Sequence, residues 1–253
     1  MPNSILSDVI VFREAFLSEG SPTIVDRDYG PVLRIILFYL WRGCSLSRTA
    51  GMTGRADANA SLLSLSAYEA TLGVLQLIRI GYHADAIVLA RALMERIAVL
   101  GYLGEHRDRI ARYWEGRWAP YKEALAWAKT KSLPNWMNLY STLSGVAHSA
   151  MVGPAGHINN RTEIGNSFRR TKDQDSANDI GVAEELLGLV VYALAALDPL
   201  AFRLIQETGT QPFGVDVVFA AVIGVNDTKM FREFLQRLIN RYEKSNRGTQ
   251  APA

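Results

Sequence analysis

Apolar positions along this chain recur at helical spacing and show no sustained alternation. Over 5–18, Ile5, Leu6, Val9, Ile10, Phe12, Phe16 and Leu17 fall near the helical period, which predicts an amphipathic helix ended by Gly20, Ser21 and Pro22. Pro31 suits the first turn of a second helix over 32–41, apolar on most sides and therefore buried, with Gly43, Gly51 and Gly54 marking a polar loop after it. The pattern predicts a third helix over 57–79. Gly81 separates it from a fourth over 83–103, and so short a connection favours an antiparallel pair.

The hydrophilic stretch 107–131 reads as one long helix that Pro120 kinks or divides. Pro134 then opens a helix over 135–149, inside a segment, 132–160, that contains no Asp, Glu, Lys or Arg. Residues 157–178 are polar and loop-like, 180–206 form an apolar helix with a bend at Pro199, and 215–225 is an apolar run readable as helix or strand. An amphipathic helix over 227–244 closes the chain before a disordered tail at 247–253. With no internal repeat and no linker, the expectation is an all-α protein. The pattern predicts a single-domain helical bundle of antiparallel long helices over 1–246, with its core in 57–206 and helices 5–42 and 227–244 packed on it.

Composition narrows the class. A chain of 253 residues that is 49% hydrophobic and 21% charged can bury a substantial core, which sets aside disordered and fibrous classes. A net charge of +2 permits nucleic acid as a partner without arguing for it. Cys44 is the only cysteine, so no internal disulfide or multi-cysteine metal site is available, and a reduced, cytoplasmic setting is expected. The first residues lack the basic and apolar regions of a signal peptide. The longest uncharged apolar run, 186–197, is shorter than the ~20 residues of a membrane span, so no membrane partner is expected.

Two helices carry the candidate chemistry. On a wheel of ~100° per residue, Arg91, Glu95 and Tyr102 share a strip of the fourth helix with Ala84, Val88 and Ala98, opposite an apolar side of Ala90, Leu93, Met94 and Ile97. Arg91 and Glu95 form an i,i+4 pair among aliphatic and small residues, either a structural brace or, because a buried ion pair is weak evidence of stability, part of a site. On the uncharged helix, Trp136, Leu139, Tyr140, Leu143, Val146 and Ala147 make an apolar face, and Asn138, Ser141, Ser144, Gly145 and His148 line the other. If that polar face meets the fourth helix, His148 and Glu95 form an acid–base pair, Arg91 holds an anion, and Ser141, Ser144 and Tyr102 complete a ligand site. The plainer alternative for His148 is a core histidine bonded to backbone or hydroxyl.

These residues carry a resemblance. The run Gly81-Tyr-His-Ala-Asp-Ala-Ile-Val-Leu-Ala-Arg91-Ala-Leu-Met-Glu95, with the later Tyr140-Ser-Thr-Leu-Ser144-Gly-Val-Ala-His148, resembles a bacterial helical domain-of-unknown-function family, number 5677. Its Ala-x-x-Leu-x-Arg-x-x-x-Glu helix and Ser-x-x-x-His helix correspond to Arg91, Glu95, Ser144 and His148, and the likeness spans 62–149. It implies a helical fold and no particular activity. More distantly it is similar to the HEPN superfamily of helical bundles, some of which are RNases. The HEPN nuclease pattern, Arg followed by four to six residues and His, is not met: Arg79-x-x-x-His83 is one residue short.

Between Arg107 and Lys122, basic residues interleave with Trp114, Trp118 and Tyr121, as on a nucleic-acid surface, although interspersed acids favour a solvated helix with its aromatics inward. The loop with Arg161, Arg169, Arg170 and Lys172 either closes over an anion or is simply disordered. Metal-ligand, Walker, dinucleotide and serine-hydrolase motifs are absent, so neither metal nor cofactor is expected. Three functions stay open: a binding or regulatory protein with a polar interhelical pocket, a HEPN-like nuclease or other hydrolase using His148 and Glu95, and a structural oligomer. The corresponding partners are a small anionic ligand, RNA and a second copy of the chain.

Overall fold

The computed structural model describes residues 2–18, 23–54, 56–130, 136–152, 177–206 and 223–248. Among them the fold is all-α, as the periodicity predicts. The elements are α1 (Pro2–Ser18), α2 (Ile24–Met52), α3 (Ala58–Arg79), α4 (His83–Glu105), a single 3₁₀ turn (Arg107–Arg109), α5 (Ile110–Trp114), α6 (Tyr121–Thr130), α7 (Trp136–Val152), α8 (Ala177–Gln206) and α9 (Val225–Gly248). The ambiguous run at 215–222 and the basic loop through residue 176 lie outside the described residues.

The chain forms two compact units, residues 1–39 with 214–253 and residues 40–213. In the first, Phe234 of α9 is fully buried and meets Tyr29 of α2 edge-on, with ring centroids 6.1 Å apart. Arg34 forks onto Asp227, donating from Nε to Oδ2 over 3.1 Å and from Nη2 to Oδ1. Asp227 Oδ2 also accepts from the backbone N–H of Gly224 at the start of α9, one half of a capping box. One carboxylate thus fixes the helix start and ties α9 to α2. The Arg34 guanidinium holds its pKa below the ordinary carboxylate value.

α2 departs most from its expected bounds of 32–41. It begins eight residues earlier because Thr23 and Asp26 form a reciprocal cap, Thr23 N donating to Asp26 Oδ2 (2.7 Å) and Asp26 N to Thr23 Oγ1 (3.2 Å). Pro31 consequently lies inside the helix. α2 also runs through Gly43 and Gly51 rather than ending in a polar loop there. Gly43 is needed for proximity: a β-carbon on it would fall 2.1 Å from the ring of Tyr68.

In the second unit α4 is the central helix, packed against α3, α6, α7 and α8. Residues 97–103 of α4 are buried on every side, as expected of a helix with neighbours all round. α3 and α4 form a hairpin about Gly81, whose φ of +84° ends α3 in a Schellman motif: Tyr82 N donates to Leu77 O and Gly81 N to Ile78 O. The same device stops α5. Gly116 has a φ of +68°, Arg117 N donates to Arg112 O and Gly116 N to Tyr113 O, so the expected helix over 107–131 is divided here as well as at Pro120. Two stretches, Ala58–Arg79 and Gly181–Ile205, are long and apolar enough to cross a membrane, more than the shorter uncharged run had indicated. Each is also at least half buried against the rest of the protein, the pattern of a core helix.

Candidate functional site

The pairing of α4 with α7 is real, but a different face of α7 makes it. Arg91 Nη2 lies 3.2 Å from Glu95 Oε1, one helical turn on. Tyr140, assigned by its spacing to the apolar face of α7, donates its hydroxyl to the same Glu95 oxygen over 2.8 Å. The Arg91 guanidinium sits 5.9 Å from the centre of the Tyr140 ring. Its pKa is held above the ordinary arginine value, first by hydrogen bonding to Tyr140 and then by Glu95, against the effect of burial. At 28% and 25% exposure, the Arg91 and Glu95 side chains are half-buried rather than fully enclosed.

Of the polar face expected to line the interior, Asn138 and the candidate ligand residue Ser141 are exposed. Ser144, one turn beyond Tyr140, does turn inward. Its Oγ is buried without a hydrogen-bond partner among the described residues, and so is Nε of Arg91. The side chain of His148 lies outside the described residues, so the proposed His148–Glu95 pair has no geometry here. Tyr102 belongs elsewhere. Its hydroxyl accepts from Arg109, whose guanidinium also sits 5.5 Å from the Trp118 ring centre, and its ring lies 4.4 Å from that of His106.

Glu95 has a second neighbourhood. On the α3 side of α4 lies a groove of about 370 Å³. Its floor is one face of α4, Ala92, Glu95, Arg96, Val99 and Leu100, the i, i+3, i+4, i+7, i+8 spacing of a single stripe. Leu63 and Ser66 of α3 form one wall. Tyr113 and Trp114 at the end of α5, with Tyr121 at the start of α6, form the other. The wall exists because the Gly116 turn stops α5 just past Trp114 and a short connection restarts the chain at Tyr121. Trp114 and Tyr121 are 46% and 51% exposed, so the expectation of inward aromatics fails at these two. Arg96 Nη1 donates to the Ser66 carbonyl over 3.1 Å, and Arg96 has no ion pair among the described residues. Burial, then Tyr121, raises the Tyr113 pKa, with Arg96 opposing.

Two basic residues of 107–122 are used internally. Arg107 donates to the carbonyls of Arg203 and Leu204 near the end of α8, and Arg109 is held by Tyr102 and Trp118. A further polar cluster has no counterpart in the sequence reading. Asp198 of α8 accepts from Arg42 Nη2 and from the Tyr68 hydroxyl, each at 2.6 Å, beside a water-sized cavity of about 20 Å³ lined also by Ser47. Burial raises the Asp198 pKa despite both partners, and burial followed by Asp198 raises that of Tyr68. The available signal was that Asp198 is the sole charge between Glu185 and Arg203. Among the described residues no group of three His, Cys, Asp or Glu is placed to hold a metal ion.

Comparison of the chain with models of known protein families, with curated proteins and with solved structures finds no match.

Proposed function

We propose that this is a binding or regulatory helical-bundle protein, acting in the cytoplasm, which holds a small anionic ligand in the groove over Glu95 and Arg96. The observation that carries this reading is the groove itself. At about 370 Å³ it falls within the size range of small-molecule sites, and it combines apolar walls with a few convergent polar groups. Its electrostatics select the sign of the ligand. Glu95 is compensated by Arg91 and hydrogen-bonded by Tyr140, whereas Arg96 keeps an uncompensated charge.

The test is a thermal-shift screen of inorganic anions and small organic anions against wild type and Ala92→Trp, which fills the groove floor. A ligand at a hundred times its Kd stabilises the folded state by about 2.7 kcal/mol, or roughly 5–11 °C for a unit of this size. The shift is expected in wild type, weaker in Arg91→Ala, where Glu95 becomes an unbalanced negative charge, and absent in Ala92→Trp. No shift with any anion, or equal shifts in wild type and Ala92→Trp, refutes the reading. RNA or single-stranded DNA cleaved by wild type and spared by His148→Ala would replace it with the hydrolase alternative.

A further inference from the structure

The groove walls specify more than an anion. Tyr113, Trp114 and Tyr121 line one cavity, and none of the three stacks on another aromatic ring among the described residues. Exposed indole and phenol faces of this kind are stacking platforms for flat π-systems. Aromatic walls beside a carboxylate also describe a cage for an organic cation. Here, however, the carboxylate is neutralised by Arg91 at 3.2 Å, and Arg96 adds a positive charge inside the same cavity. A cation entering would meet net repulsion. A flat ring carrying an anionic group meets attraction on both counts.

We infer that the groove binds a nucleotide unit, its base stacked against Trp114 and Tyr121 and its phosphate paired with Arg96. This rests on the groove being a ligand site at all. Arg96 is suited to the phosphate because only one of its donors is committed to the Ser66 carbonyl, leaving others of the guanidinium fork for phosphate oxygens. A free nucleotide and one residue of a single strand present the same base and phosphate.

The experiment titrates the full-length protein with nucleoside monophosphates, with the matching unphosphorylated nucleosides, and with single-stranded oligonucleotides of ~10 nucleotides, the scale of a single-strand site. The expected result is saturable binding of at least one nucleotide form. Trp114→Ala should weaken it roughly 5- to 150-fold, the range for loss of one base–aromatic stack. Arg96→Ala should weaken it and reduce the slope of log K against log salt by about 0.7 in the single-strand arm. Both positions are exposed, and Tyr121→Ala serves as a second stacking variant if either protein misfolds. Tighter binding of the oligonucleotide than of the monophosphate identifies a single strand as the source, and the reverse identifies the free nucleotide. Either ordering supports the assignment.

Three results overturn it: no nucleotide form binds, binding is indifferent to Trp114→Ala and Tyr121→Ala, or nucleosides bind as well as their phosphates with Arg96→Ala silent. If another anion still shifts wild type but not Ala92→Trp, the groove remains a ligand site and only the nucleotide assignment falls. If nothing binds, both fall together.

Discussion

Replacing Gly43 with alanine isolates the contact that brings α2 against α3. The added β-carbon would lie 2.1 Å from the Tyr68 ring, and three ring atoms fall within 2.6 Å, so the whole phenol must shift. Inserting a methyl into such a site costs about 1–3 kcal/mol. A shifted ring also moves the hydroxyl that donates to Asp198 over 2.6 Å, and a hydrogen bond to a charged group contributes about 1.5–3 kcal/mol. Helix propensity opposes both by about 1 kcal/mol in favour of alanine. The balance is a destabilisation of about 3 kcal/mol, or roughly 6–12 °C in the melting temperature. Urea unfolding followed by circular dichroism measures it. Gly181→Ala is the control: nothing lies within 4 Å of its added β-carbon, so it should stabilise by up to about 1 kcal/mol. The decisive arm is the Tyr68→Ala background, where Gly43→Ala should change sign and become stabilising. If Gly43→Ala is neutral alone, or equally harmful without the Tyr68 ring, the proposed close approach is wrong.

The other outcomes concern single polar groups. Asp227 has its pKa lowered from 3.8 by Arg34, so its contribution is present above that value and is lost as pH falls through the folded-state pKa; Asp227→Asn should cost about 1–3 kcal/mol at neutral pH, allowing for the part-exposed Arg34, and flatten the acid limb of the stability curve. Asp198 has the opposite sign: its pKa is raised above 3.8, so its relative stabilisation is full below that value and is lost as pH rises through the folded-state pKa. Asp198→Asn cannot titrate, so the stability of wild type relative to this variant, read from denaturant midpoints, should increase as pH falls, and a wild type that loses ground to the variant on acidification contradicts the assignment. Tyr140→Phe removes the 2.8 Å bond to the half-buried Glu95, should cost about 1 kcal/mol and, by leaving the carboxylate less satisfied, should weaken anion binding in the groove; a neutral result in urea unfolding removes the α4–α7 contact from the site.

Local periodicity was enough to reveal the helices and the Arg91–Glu95 strip, because both depend on residues within a few turns of one another. It misassigned Tyr102, which shares the angular strip with Glu95 but stands ~10 Å further along the axis, where Arg109 and Trp118 meet it. It also misjudged α7. A hydrophobicity count places tyrosine with the apolar residues, yet Tyr140 is half-buried and carries a hydroxyl to the carboxylate, whereas Ser141 on the polar face is exposed. The groove was missed for a local reason. With Pro120 taken as the break in one helix, Trp114 and Tyr121 appear as parts of the same rod, while Gly116 ends α5 in a left-handed turn. The Arg42–Asp198–Tyr68 cluster lies beyond any local pattern, its partners being 156 and 130 residues apart in sequence.

Consecutive positions on α4 divide the chemistry of the unit between its neighbours. Residues 95 and 96 are ~100° apart around the helix, and the central position of α4 turns that angle into two environments. Glu95 is satisfied by Arg91 one turn back on α4 and by Tyr140 reaching across from α7, while Arg96 reaches α3, where it donates to a carbonyl. Glu95 also remains on the groove floor. The acid therefore contributes shape and a neutralised surface to the groove, and the base contributes its net charge. An isolated Arg91–Glu95 pair would be read as a brace. With Arg96 beside it and three unstacked rings opposite, the same pair also prevents the groove from favouring cations.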